Sequence, residues 1–209
     1  NMKLKHGRRS IRLKGYDYSQ AGAYFVTVCV QGRRCLLGNV DDNGVVLSTI
    51  GAFVYQCLGQ IPDRFETVEL DEFVIMPNHV HAILIFDVGA RFIVPYKRGF
   101  DKSNPYIRNN PMLLNSDTLG KVMRSFKAKA THMIRNVGNC SYFQWQRNYY
   151  EHIVRNEDSL NRIREYIIHN PMRRQFDREN PDYIHDNGGN YKMDQIEEMI
   201  YGKQHVGNS

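Results

Sequence analysis

Little in this 209-residue sequence suits a secreted or membrane-embedded chain. Its four cysteines, Cys29, Cys35, Cys57 and Cys140, include no C-x-x-C pair, which removes the usual spacing of a zinc knuckle or a redox motif. Free thiols in a reducing, cytoplasmic compartment are expected instead. No apolar run reaches about 18 residues, so no membrane span is expected. The polar, basic start also lacks the apolar core of a signal peptide. Acidic residues are scarce where bases gather. Residues 1–40 hold eight Lys/Arg and one acid, and residues 91–135 hold ten and two. Residues 41–90 reverse this, with one base and eight acids. Segregation of this kind, on a chain of net charge +6, suggests basic faces that meet a polyanion.

What is present is a globular composition, 42% hydrophobic and 11% aromatic, of a length that fits one domain with appendages. Residues 1–20 form a basic arm carrying Arg8, Arg9, Arg12 and Lys14 before Tyr16 and Tyr18. Residues 21–175 form the domain, and 176–209 an acidic tail. Ala23–Val30 alternates as a first strand, turned by residues 31–34. Residues 41–44 make a further turn. Ser48 is placed to cap a helix through Gly51–Gln60 that Ile61-Pro62 stops. The stretch FVIMPNHVHAILIF, Phe73–Phe86, reads as two apolar strands broken at Pro77-Asn78, a hairpin whose first strand begins near Val68. Residues 88–115, rich in Gly, Pro and Asn, read as a mobile basic loop. Ser116 or Asp117 then caps a helix to about Arg135. Its apolar stripe is Leu119, Val122, Met123, Phe126, Ala130, Met133 and Ile134, and Lys121, Arg124, Lys127 and Lys129 lie off that stripe. Tyr142–Arg147 reads as a strand holding the only tryptophan, Trp145. Asn156 or Asp158 starts a last helix through His169, ended by Pro171, with Leu160, Ile163, Ile167 and Ile168 as its apolar residues. The order is βαββαβ plus a helix: an α+β, ferredoxin-like sandwich with an antiparallel central sheet.

The chemistry concentrates at His79-Val80-His81. Residues i and i+2 of a strand share a face, so the two imidazoles project together, as half a metal site or as a polar pair at a sheet end. If the last helix lies across the sheet beside them, Asn170 could complete a site for a hard divalent cation, Mg²⁺ or Mn²⁺, that leaves positions for phosphate oxygens. Tyr166 lies one helical turn before Asn170, on the same face. Its hydroxyl could attack a phosphorus held there and form a covalent phosphotyrosine. Tyr149 and Tyr150 are rival nucleophiles without an amide at i+4. His152 and His169 flank the helix as outer-shell candidates or as structural histidines. Arg8, Arg9, Arg12, Lys14, Lys121, Arg124 and Lys127 are the expected phosphate contacts. Trp145 is expected in the core rather than as a stacking platform.

MPNHVHAIL at Met76–Leu84 resembles the His-hydrophobic-His motif of the HUH endonucleases. Arg8–Leu13 (RRSIRL), Trp145-Gln146, His152–Arg155 (HIVR) and Glu165–Pro171 (EYIIHNP) resemble, in order and spacing, the REP-associated tyrosine transposases, a branch of the single-tyrosine transposases. The resemblance spans about residues 8–174. It implies an HUH fold acting on single-stranded, often hairpin-forming, DNA, with Tyr166 as nucleophile and His79, His81 and Asn170 as metal ligands. The wider superfamily generally has Gln where this chain has Asn170; Asn, one methylene shorter, is the REP-associated version. The implied function is metal-dependent cleavage and rejoining of DNA. The alternatives are a domesticated module that binds hairpin DNA without cutting, and an RNA-binding ferredoxin-like domain. The aliphatic central strands count against the last. The resemblance also favours a monomer over a dimer that exchanges its tyrosine helix.

Overall fold

The computed structural model describes residues 20–42, 44–86, 117–172 and 179–180. The basic arm, the loop at 88–115 and most of the acidic tail therefore lie outside the described residues. Strand β1 runs Gly22–Cys29, followed by a single 3-10 turn at Gln31–Arg33. Strands β2 (Gly38–Asp41) and β3 (Gly44–Leu47) make a separate two-stranded ribbon. Helix α1 (Thr49–Gly59) leads into one turn of helix, α2 (Ile61–Arg64), then β4 (Val68–Met76), β5 (His79–Phe86), α3 (Leu119–Asn136), β6 (Tyr150–Val154) and α4 (Glu157–His169).

The main sheet is antiparallel in the order β4-β5-β1-β6, the arrangement expected of a ferredoxin-like α+β fold. Strand β5 is central and buried along almost its whole length, which is why its sequence is an uninterrupted apolar run after His81. Alternation then sorts its neighbours. Tyr24, Val26, Val28, Val80, Ala82 and Leu84 face α1 and α3, joined there by Val54, Leu58, Val122 and Phe126. Ala23, Phe25, Ile83 and Val154 face α4, packing on Leu160, Ile163 and Ile167. The result is three layers, helix pair, sheet and single helix, with a larger core on the α1/α3 side. Among the described residues no helix is long and apolar enough to cross a membrane.

Local chemistry explains the helix ends. Ser48 Oγ accepts from the Gly51 amide (3.1 Å), and Asn156 Oδ1 accepts from the Ser159 amide (2.8 Å), each meeting one otherwise orphaned N–H. For α3 the cap is Thr118, accepting from the Lys121 amide (3.2 Å), rather than Asp117; Ser116 lies outside the described residues. Asp117 instead takes the Lys121 ammonium at 2.6 Å. Pro62 does more than stop α1: it sits in the first turn of α2, where its missing N–H costs nothing.

Three expectations need correction. Tyr142–Arg147 is not a strand; a single bridge joins Trp145 to Val30. Side chains from α3 take the carbonyls that a neighbouring strand would use. Arg135 donates to the Phe143 oxygen and Lys127 to those of Gln146 and Arg147. The last strand is β6, whose sequence YEHIV hides its alternation because its two buried positions on the α4 face are a histidine and a valine. The β2–β3 ribbon was read only as its turn, since four-residue strands carry too few positions to display a period. Ile168, placed among the apolar residues of α4, is 56% exposed.

Helix α1 approaches Leu37 so closely that a Cβ at Gly51 would run into the Leu37 carbonyl oxygen. In an unhindered helix Gly→Ala stabilises by up to about 1 kcal/mol. Here the sign should reverse, with Gly51→Ala lowering unfolding free energy by about 1–3 kcal/mol in urea titrations.

Candidate functional site

The turn at Pro77-Asn78 delivers His79 as the first residue of β5, so His79 and His81 share the face covered by α4. Pairing fixes their neighbours: Cys29 lies opposite His79 and Thr27 opposite His81 on β1, with Met76 and Val74 opposite them on β4. Both imidazoles are buried. Their Nε2 atoms lie 3.0 Å apart.

The other ring nitrogens are held. His79 Nδ1 is 2.8 Å from Asn78 Oδ1, and the Asn78 amide nitrogen donates to the Glu179 carbonyl. The amide oxygen therefore faces His79, so His79 carries its proton on Nδ1 and presents a lone pair at Nε2. His81 Nδ1 lies 2.8 Å from Thr27 Oγ1, a hydroxyl that donates or accepts as the ring's tautomer requires. His81 stacks on Phe25, with centroids 5.3 Å apart. Burial, followed by the charge of Arg33, pushes the His79 pKa down to about 3, so the ring is neutral at physiological pH, the form that ligates metals.

Helix α4 brings the tyrosine. Leu160, Ile163 and Ile167 seat it on the sheet. Arg164 ties it to the edge strand, its Nε and Nη2 donating to Asp71 Oδ2 at 2.9 and 2.6 Å. That carboxylate sits where the β4–β5 register shifts between Leu70 and Phe73, a bulge that re-aims side chains. Tyr166 Oη then lies 3.3 Å from His81 Nε2, with its ring edge-on to Phe25. One turn on, Asn170 is buried and its Oδ1 has no hydrogen-bond partner among the described residues.

This donor set fits a hard divalent cation. Two cis ligands of an octahedral ion at about 2.1 Å lie about 3 Å apart, which matches the His79–His81 nitrogen separation. An unpaired buried amide oxygen costs about 1–3 kcal/mol and is the kind of vacancy a cation fills. Among the described residues no group of three or more His, Cys, Asp or Glu is placed so that it could hold a metal ion by itself. Any ion here would rely on the amide and on oxygens brought by water or substrate.

The remaining candidates divide. Tyr149 packs into the opposite core, away from the imidazoles. Tyr150 lies on the α4 face, paired with Thr27, and its ring meets Phe25 edge-on. His152 is buried opposite Phe25, its pKa lowered to about 4 by burial and the Arg155 charge. His169 is exposed and its Nδ1 bonds the Glu165 carbonyl of its own helix (2.8 Å). Arg8, Arg9, Arg12 and Lys14 lie outside the described residues. Lys121, Arg124 and Lys127 sit on α3, across the sheet from the histidines. Lys121 is engaged by Asp117, and Lys127 is turned onto main-chain carbonyls. Sequence reasoning missed Asn78 and Thr27. Asn78 was legible as the residue beside His79; Thr27 was not, because only the strand register pairs it with His81. It also missed Glu179, whose carboxylate meets Arg33 at 3.2 Å and the Cys29 thiol at 3.4 Å beside the site.

Fold and site together define a ferredoxin-like α+β domain with a His-x-His strand facing a helical tyrosine. No family model matches the sequence. The chain is 42% identical over 170 residues to an uncharacterized protein of Haemophilus influenzae, covering 80% of this chain and 89% of that one; it belongs to the same family. Among solved structures it is similar to a REP-associated tyrosine transposase bound to a REP hairpin, with a TM-score of 0.52 and 19% identity over 80% of this chain and 76% of that one. That likeness establishes a shared fold.

The depressed histidine pKa values carry a sign. The unfolded chain takes up these protons near the ordinary value of 6.5 and the folded chain only near 3 to 4. Their contribution is thus complete above about pH 6.5 and is lost as pH falls toward 4. Urea midpoints should fall across that window, and His152→Leu should make the fall shallower.

Proposed function

We infer that this protein is a metal-dependent nuclease and strand-transfer enzyme of the tyrosine transposase kind, acting on single-stranded DNA beside a hairpin. The observation that carries this reading is the 3.3 Å approach of Tyr166 Oη to His81 Nε2, which puts a nucleophile at a cation-competent pair of imidazoles. Support comes from the shared fold with a transposase bound to a REP hairpin.

In this reading His79, His81 and Asn170 hold Mg²⁺ or Mn²⁺, which supplies Lewis-acid polarisation of the scissile phosphate and neutralises charge on the leaving oxygen. The chain's own residues do the rest. Asn78 and Thr27 orient the two imidazoles from behind. Phe25 and the seat of α4 hold the Tyr166 ring, so the phenol is positioned before substrate arrives. Attack by a phenol is helped by a nearby positive charge, which favours the phenolate. The Tyr166 oxygen bonds to phosphorus as the bond to the 3′ oxygen breaks. The products are a 5′-phosphotyrosine and a free 3′-hydroxyl, which takes up the proton. Attack by a 3′-hydroxyl on the phosphotyrosine reverses the step and rejoins DNA. Since Tyr166 reaches His81 within one chain, no helix exchanged from a second copy is needed, and we read the enzyme as a monomer.

The test is covalent trapping on labelled hairpin DNA with a single-stranded flank, run on a denaturing gel. Wild type with Mn²⁺ should give a shifted band, and Tyr166→Phe and His79→Ala should not. Tight binding without any covalent band, across hairpins from the host's own repeats, would instead favour a domesticated binding module. A band surviving in Tyr166→Phe would transfer the nucleophile to Tyr150.

Metal binding has its own readout. Without DNA, Mn²⁺ at about a hundred times its Kd should stabilise the folded protein by about 2.7 kcal/mol. Thermal unfolding should lose that increment in His79→Ala. It should shrink in Asn170→Ala, which would otherwise gain from removal of an unpaired buried oxygen.

A further inference from the structure

A second concave feature lies across the sheet from the histidines, between α3 and the segment that was expected to be a strand. It is a groove of about 640 Å³, within the roughly 300–1,000 Å³ of ligand sites. One wall is α3, with Lys127, Thr131, His132 and Arg135. The other is residues 144–147. Among the described residues no carboxylate lines it.

Its two walls are clamped together at both ends. Lys127 Nζ donates to the carbonyls of Gln146 (2.6 Å), Arg147 (3.1 Å) and Asn148 (3.5 Å). The Arg135 guanidinium donates twice to the Phe143 carbonyl, at 3.0 and 2.8 Å. These cations hold the groove open in one shape, while the exposed Arg147 remains on its rim. Trp145 lines the same groove, and its indole N–H is buried with no acceptor among the described residues.

Position adds a direction. The Gln146 amide donates to the Cys29 carbonyl, and the Gln31 amide to the Gln144 carbonyl, each at 2.8 Å. Cys29 is the cross-strand partner of His79, and the Val30 amide donates to the Asn78 carbonyl (2.8 Å). Groove and imidazoles thus flank the same end of the sheet, one on each face.

We propose that this groove binds a single-stranded DNA segment contiguous with the strand presented to Tyr166, Arg147 meeting its phosphates and the Gln144 side chain its base edges. The proposal rests on the nuclease reading for the identity of the strand. Positive walls that track a backbone, with amide side chains and an indole between them, are what sequence-tolerant single-strand binding uses. An acidic peptide would also meet the charge, but it offers no planar base edge to the indole and amides.

Trp145 is the only tryptophan in the chain, so its emission reports the groove alone. The experiment titrates an oligothymidylate of about 12 nucleotides into Tyr166→Phe protein in EDTA, where neither cleavage nor metal contributes. Emission should change saturably. Arg147→Glu should raise Kd about tenfold and lower the salt slope by about one, and Gln144→Glu on the same wall should also weaken binding. Thermal unfolding confirms that both variants fold. Unchanged emission, a Kd within about twofold of wild type in both variants, or an equal response to poly-glutamate would each overturn the proposal. Covalent trapping is scored separately. Trapping without a groove response sinks only the groove, and a groove response without trapping sinks only the nuclease.

Discussion

The structure depends on the parity of one strand. Strand β5 is central and covered on both faces, so its first three residues decide what each layer receives. With the register Thr27 to His81 and Val80 to Val28, both imidazoles go to the α4 side and every even-numbered aliphatic goes to the larger core. A slip of one residue would put two histidines among Val54, Leu58 and Phe126 and turn Val80 toward Tyr166. The burial of the aliphatic residues and the placement of the imidazoles are thus one commitment, enforced by the cost of leaving polar groups in an apolar core.

Around that strand the imidazoles are kept neutral and oriented by means that cost the fold little. Asn78 belongs to the turn that starts β5, and Thr27 to the strand beside it, so neither requires a loop of its own. Phe25 serves twice, as part of the α4 core and as the surface against which His81 and Tyr166 rest. The nucleophile's helix is fixed by apolar seating and by Arg164–Asp71, a pair only partly withdrawn from water, so its anchorage owes more to packing than to charge.

Much of this was legible in the sequence, and the reasons for success and failure differ. The Phe73–Phe86 hairpin could be read because β5 is long and apolar, β4 ends in the apolar run Phe73–Met76, and a proline-asparagine pair separates them. The α3 stripe could be read because seven residues repeat at helical spacing. Strand β6 could not. It is an edge strand that buries His152 and Val154 on one face while Tyr150 stays open, and a histidine in a core position erases a hydrophobic period. The neighbouring YFQWQR run was persuasive for the wrong reason: Phe143 and Trp145 are buried against α3 rather than by strand pairing, while Tyr142 stays exposed. His79, His81 and Tyr166 were assigned correctly to one locale, because strand and helix periods are local rules. That α3's cations lie on the opposite layer is a matter of handedness and topology, which no single segment contains.

The segment between α3 and β6 is held by side chains that grip its main-chain oxygens, with one bridge to β1 in place of a ladder. Lys127 and Arg135 are indifferent to which residues own those carbonyls. The identities of the exposed positions there, Gln144, Arg147 and Asn148, can therefore drift through many substitutions while the backbone path is preserved. A scaffold of this type separates inheritance of shape from inheritance of surface chemistry, so related chains can diverge in what they contact while the architecture behind His79 and His81 stays the same.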